Sequence, residues 1–318
     1  GAAINFLDSG NDLEIVAIGD VFQDKIDSFR EKLKKEKQVE LADEKCFVGW
    51  DAIDKVLEQD IDYIILATPP HFRPEHYSKA IAARANVFME KPIAVDPAGV
   101  RSVMATTEKA KALGLSVVTG TQRRHARDYN DIFAKVKSGM IGEITGASCY
   151  WNQGKLWHIN PQADWSEMEA MLRNWVNWTW LSGDHIVEQH VHNIDVVNWF
   201  MESHPVKAVG FGSRHRRITG DQFDNFSIDF IYPNDVHVHS MCRQINGCTN
   251  NVSEYVRGTE GYTNCSDKIY APDSSIKYQF NYPLDEKGEP SRRNMISDYV
   301  QEHIDLITAI RTGEVFNE

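Results

Sequence analysis

Up to about residue 122 the sequence alternates short, apolar, β-branched runs with longer amphipathic stretches, and this alternation is the feature that most constrains the fold. Leu13–Asp20 reads as a buried strand that ends in a glycine and an acid, and Ile61–Ala67 reads as a second one stopped by Thr68-Pro69-Pro70. Val87–Met89 and Leu115–Thr119 complete the series. Helical patterns lie between them over about 21–37, 51–59, 74–85 and 97–113. Strands joined by helical crossovers predict a parallel, Rossmann-type sheet covered on both faces. Ligands of such sheets sit at the carboxyl ends of the strands. Asp20, Thr68, Lys91 and Gln122 all fall just past predicted strand ends.

Beyond residue 122 the period changes. Ile144–Trp151, Val206–Ser213, Asn225–Tyr232 and Val236–Ile245 alternate apolar and polar residues. This predicts a large, mostly antiparallel open sheet in a C-terminal α/β domain. One helix is expected over about 184–201 and a last one over 295–312. The expected domains are therefore 1–122 and 123–318. A net charge of -12 opposes binding to a nucleic-acid backbone. No apolar run approaches the length of a membrane span. Five cysteines with no CxxC pair favour free thiols over a disulfide framework or a zinc site.

Three groups carry candidate chemistry. An acid such as Asp20, at the strand end of a dinucleotide-binding unit, accepts hydrogen bonds from ribose hydroxyls and repels a 2′-phosphate, which favours NAD over NADP. The competing reading is an ordinary strand-end aspartate or helix cap. The usual glycine-rich loop is expected upstream of Gly1, so it is not tested by these residues. In Glu90-Lys91-Pro92 the lysine would project an ammonium into the crevice, where it can steady a reacting oxygen. On a continuous helix, Glu188, His192 and Asp195 stand at i, i+4 and i+7 on one face, which makes His192 an oriented general base. Binding a metal through Glu188, His190 and His192 requires the period of a strand, so no metal is expected on a helix.

Taken together, Thr68-Pro69, Glu90-Lys91-Pro92 twenty-two positions after the threonine, and a carboxylate four residues before His192-Asn193-Ile194-Asp195 resemble the glucose–fructose oxidoreductase and inositol dehydrogenase family. Gly120-Thr121-Gln122-Arg123-Arg124 and Gly142-Glu143-Ile144 are similar to it as well. The resemblance implies a nucleotide-binding domain followed by an α/β domain whose open sheet serves as a homo-oligomer interface. It also implies that Lys91 and His192 form the catalytic pair, with Glu188 as supporting carboxylate, and that Asp20, Thr68, Pro69, His71, Glu90, Lys91 and Gln122 face the cofactor. Three departures stand out. Glu188 replaces an aspartate, Pro70 and Arg73 replace the usual Asn and His, and a further helix usually follows the Asn317–Glu318 region.

Seven of the eight tryptophans lie between Trp151 and Trp199. Indole faces stack on the C–H faces of sugar rings, and Trp151 is the one expected to do so. Arg123, Arg124, Tyr150, Trp151, Asn152 and Asp195 are the expected substrate contacts. The expected activity is NAD-dependent hydride transfer to or from a sugar, inositol or related polyol. Two alternatives stay open: glycoside cleavage by transient oxidation and elimination, and a sugar- or nucleotide-binding protein without turnover. The expected compartment is the cytoplasm, with export left open.

Overall fold

The computed structural model describes residues 1–318, which form two compact units. Unit 1 comprises Gly1–Gln122 together with Tyr299–Glu318, and unit 2 is Arg123–Asp298. The chain changes unit after residue 122, but assigning all of 123–318 to one domain is corrected by the last helix, Asp298–Thr312, most of which belongs to unit 1.

Unit 1 holds five short parallel strands: β1 (Ile18–Asp20), β2 (Cys46–Val48), β3 (Tyr63–Leu66), β4 (Asn86–Met89) and β5 (Val117–Thr119). β1 pairs with β2, and β3, β4 and β5 form a second sheet in that order. The expected strand Leu13–Asp20 is reduced to its last three residues, because only these meet a partner strand. In the second sheet, side chains leave alternate faces. Ile64, Leu66, Val87, Met89 and Val117 pack against Tyr77, Ala80 and Ile81 of helix Arg73–Ala82 and Val103 and Ala110 of helix Pro97–Ala112. Phe88 and Val118 point the other way and join Ala2 of helix Ala2–Asp8 and Leu306 of the last helix. The second cover is thus drawn from both ends of the described chain. It is pinned by Tyr63 Oη to His303 Nδ1 at 2.6 Å and by Val117 N–H donating to the Phe316 carbonyl at 2.8 Å.

Unit 2 is built on an eight-stranded sheet of β6 (Ile144–Gln153), β7 (Lys207–Ser213), β8 (Asn225–Ile231), β9 (His237–Gln244), β10 (Asn251–Gly258), β11 (Gly261–Thr263), β12 (Lys268–Tyr270) and β13 (Ile276–Gln279). The order is β13-β12-β11-β10-β6-β9-β8-β7, and only the β6–β9 pair is parallel. Helices Arg127–Lys137 and Val191–Phe200 cover one face, where Tyr129, Ile132, Val196 and Phe200 pack on Ala147, Cys149, Val238 and Val256. The other face is open at the β7 end, where every residue of β7 is exposed. Wholly buried Asp128 fastens the segment before the last helix, accepting from Tyr282 Oη at 2.9 Å and Arg292 Nε at 2.7 Å.

No helix of the structure is long and apolar enough to cross a membrane. Because Leu306 is fully buried against Phe88 and Val118, Leu306→Ala should cost about 2–5 kcal/mol. The loss should appear as a lower thermal midpoint for unit 1, with the circular dichroism of the folded protein unchanged.

Candidate functional site

The predicted cofactor residues of unit 1 gather at the carboxyl ends of its parallel strands, and the chain there is held by one buried cation. Arg73 is 3% exposed, at the start of its helix. Its Nε donates to the Thr68 carbonyl at 2.8 Å, and its Nη1 donates to the carbonyls of Glu90 at 2.7 Å and Pro92 at 2.6 Å. The turn after β3 is thereby tied to the turn after β4, with Lys91 between the two anchored carbonyls. From the other side, β5 is followed directly by Gly120, where an added Cβ would lie 2.6 Å from Glu90 Oε2 and 3.0 Å from the Lys91 backbone nitrogen. The absence of a side chain at Gly120 therefore lets the strand ends close up around Glu90-Lys91.

The remaining predicted residues of this unit are placed as follows. Asp20 closes β1, accepts the Phe22 N–H at 2.9 Å, and has its carboxyl pushed up by burial against the pull of that bond. Thr68 Oγ1 meets His76 Nδ1 at 3.2 Å, and the Pro69 carbonyl accepts the Phe72 N–H at 3.0 Å. His71 sets its edge on the Phe72 ring at 5.1 Å and, with Asp96 and Gly99, lines an open cavity of about 460 Å³. Gln122 is buried and donates through Nε2 to Tyr299 Oη at 3.2 Å, while its Oε1 has no partner. A buried amide oxygen in need of a donor, an ammonium and a strand-end carboxylate are the donor set that suits a nicotinamide carboxamide and a ribose. These residues fit NAD.

In unit 2 the expected continuous helix over 184–201 is corrected. It breaks at Gln189-His190 into Asp184–Glu188 and Val191–Phe200. Both Gln189 N–H and His190 N–H fall back on the His185 carbonyl, and the chain restarts with His190 as the cap of the second helix. Glu188 is consequently the last residue of one helix, buried and bonded to the Gln189 amide, while His192 lies in the first turn of the next. The break turns His190 into the core, where Nε2 meets Ser240 Oγ at 2.7 Å and the Cys149 sulfur at 3.7 Å. Burial lowers the His190 pKa to about 4, which keeps it neutral. His192 instead stacks its ring on Trp151, at 5.5 Å and 24°.

The pleat separates the other substrate candidates. Trp151 shares the helix-covered face with Cys149, whereas Tyr150 and Asn152 have the opposite parity; Tyr150 stands in register with Met241 and Ser253. Tyr150 and Asn152 thus leave the sheet on the face opposite to Trp151. Arg124 and Asp195 engage each other, with three contacts between 2.8 and 3.1 Å, and Arg124 also lies 5.5 Å from the Trp199 ring. Arg123 pairs with Glu254, a residue that the sequence reading did not single out. Its signal was available: Glu254 stands between Val252 and Val256 on one parity of β10, where an acid breaks an apolar register. Arg73 was likewise visible only as a departure from a familiar pattern.

Replacing Arg73 by Ala strands the carbonyls of Thr68, Glu90 and Pro92. Since charge-assisted bonds contribute about 1.5–3 kcal/mol, Arg73→Ala should lower stability by at least about 3 kcal/mol and weaken NAD binding, as measured by chemical denaturation and calorimetry. Stability and affinity at wild-type values would refute the clamp.

Known proteins resemble both units. A family model described as oxidoreductase family, NAD-binding Rossmann fold, matches residues 2–119, and a GFO/IDH/MocA C-terminal domain model matches residues 129–263. Inositol 2-dehydrogenase of Acidothermus cellulolyticus is 30% identical over 170 residues, covering 52% of this chain and 43% of that protein. The 2,7-anhydro-N-acetylneuraminate hydratase of Escherichia coli is 25% identical over 167 residues, 52% of this chain and 40% of that one. The match thus spans less than half the length of these curated relatives. Among solved structures, myo-inositol 2-dehydrogenase from Lactobacillus plantarum superposes with a TM-score of 0.69 at 20% identity, covering 100% of this chain and 86% of that one. Scyllo-inositol dehydrogenase from Lactobacillus casei, with bound NAD(H) and scyllo-inositol, gives 0.68 at 18% identity, covering 98% and 86%. At such identities these two likenesses speak for the fold, whereas the two family models between them match most of the chain and place it in the GFO/IDH/MocA oxidoreductase family.

Proposed function

We propose that the chain is an NAD-dependent oxidoreductase acting on a carbinol of a sugar, inositol or related polyol. The observation that carries this reading is the Glu90-Lys91-Pro92 turn, fastened by Arg73 at the carboxyl ends of parallel strands in a member of this family. NAD, when bound, supplies the hydride acceptor. The protein's own groups do the remaining work. The His192 imidazole takes the hydroxyl proton as the carbinol C–H bond breaks and the carbonyl forms. The Lys91 ammonium steadies negative charge on the same oxygen, and Glu188 supports the charge that His192 gains. Asp20 favours ribose hydroxyls over a 2′-phosphate, hence NAD over NADP. Trp151 brings an indole N–H that is buried without a partner in the structure, a donor suited to a substrate hydroxyl.

The inositol 2-dehydrogenases among the relatives support inositol as the first substrate to try. With myo-inositol and NAD, Lys91→Ala and His192→Ala should each lower kcat by about 10²–10⁴, followed by absorbance of the reduced cofactor, with the fold intact by circular dichroism. Near-normal turnover in both variants would remove the assignment. A second reading draws support from the hydratase relative. In it, oxidation is transient, the acidified neighbouring C–H is lost, a C–O bond is eliminated and the hydride returns. That reaction releases product with no net reduced cofactor.

We also infer that the open face of the unit 2 sheet joins copies of the chain. Phe211 is 78% and Val209 58% exposed there, and Met241 is exposed two strands away, across Ser227. Exposed apolar surface of this kind marks interaction sites. Phe211→Asp should shift the protein towards monomer in analytical ultracentrifugation. A wild-type chain that sediments as a monomer at high concentration would dismiss this surface.

A further inference from the structure

We propose that Glu254 is a positioning residue for His192, acting through Asn193 on one side and through Arg123 and Trp151 on the other. The proposal rests on the reading of His192 as the base.

The contacts close into a ring inside unit 2. Glu254, 2% exposed, accepts through the same oxygen, Oε1, from Arg123 Nη1 and from Asn193 Nδ2. Asn193 is the next residue after His192, in the first turn of the helix. Arg123 in turn lies 5.7 Å from the centre of the Trp151 ring, and that ring stacks on His192. Glu254 therefore holds His192 from its backbone side through Asn193 and from its ring side through Arg123 and Trp151. The register makes this possible. Glu254 stands opposite Cys149 on β6, one same-face position away from Trp151. Tyr129 Oη reaches the second carboxylate oxygen, Oε2, at 3.4 Å.

An apolar residue would fill this place as well as buried Val256 fills the next position on the same face, and a buried ion pair is a poor source of stability. Burial pushes the Glu254 carboxyl up against the pull of Arg123, so the charge is kept at a cost to folding. What the charge supplies is geometry: two donors from separate segments, both adjoining the same imidazole, are fixed at one oxygen. The Asn193 amide donates through Nδ2 to Glu254, and its side chain also engages His190, so the bond to Glu254 is one of the two contacts that orient it. A base displaced by about 1 Å forfeits about 10²-fold in rate, which makes such a brace worth its burial.

The test compares the full-length wild type with Glu254→Gln, which keeps the volume and removes the charge, and Glu254→Asp, which keeps the charge with a shorter reach. The ring protons of His192 are followed by NMR in histidine-labelled protein, assigned by their loss in His192→Asn. In the wild type they should lie upfield of the ordinary histidine position, through the ring current of Trp151. Glu254→Gln should move them back while leaving the other histidines in place, and should lower kcat with myo-inositol and NAD by about 10²-fold, with the KM for NAD unchanged. Glu254→Asp should restore part of both. Unmoved His192 resonances and wild-type kcat in Glu254→Gln would overturn the proposal. Should that variant fail to fold, ordinary ring shifts for His192 in the wild type would overturn it alone. Full turnover in His192→Ala would instead dispose of the catalytic reading, and the NMR comparison would still decide whether Glu254 braces the ring.

Discussion

Arg73 brings together what the sheet alone leaves apart. A parallel sheet delivers its strand ends to a common edge, but the turns that follow expose backbone carbonyls with no ladder to enter. Three such carbonyls, from Thr68, Glu90 and Pro92, converge on one guanidinium in the protein interior. A guanidinium can do this because its donors are planar, spread and permanently charged, whereas a lysine offers a single mobile point. Lys91 is consequently presented from a turn whose backbone is fixed on either side, next to the side-chain-free edge left by Gly120. Preorganisation of this kind puts the strain of orientation into folding and spares the reaction.

Much of unit 1 was legible in the sequence because period and punctuation agree there. The apolar runs, the Thr68-Pro69-Pro70 stop and the charged crossovers all point to the same parallel architecture. What escaped was pairing. Leu13–Ala17 is as apolar as a strand requires, yet only Ile18–Asp20 finds a neighbour, and that neighbour, Cys46–Val48, is too short to show a period. The last helix also hid its allegiance, since an amphipathic pattern announces a buried face without saying which sheet will bury it.

Unit 2 was harder to read for a different reason. Its alternating strands predicted the open sheet, but strand parity was overlooked at Tyr150-Trp151-Asn152, and helical spacing was assumed through Gln189-His190. In both places a local rule had the answer or the exception. The period of two sends Tyr150 and Trp151 to opposite faces whatever their common chemistry. The helix breaks where His190 is drawn into a polar core contact with Ser240, which periodicity does not foresee. Glu254 shows the opposite case: an acid in an apolar register is a conflict between levels, and such conflicts tend to mark sites rather than errors.

The return of residues 299–318 to unit 1 has a consequence for biosynthesis. Unit 2 is an insertion within its neighbour, and a ribosome will have emitted all of it while Phe88 and Val118 still lack Leu306. The later-made unit therefore has its full set of contacts before the earlier one does, and the nucleotide-binding half waits, with one sheet face covered only in part, by the helix Ala2–Asp8, for a helix separated from it by the whole of unit 2.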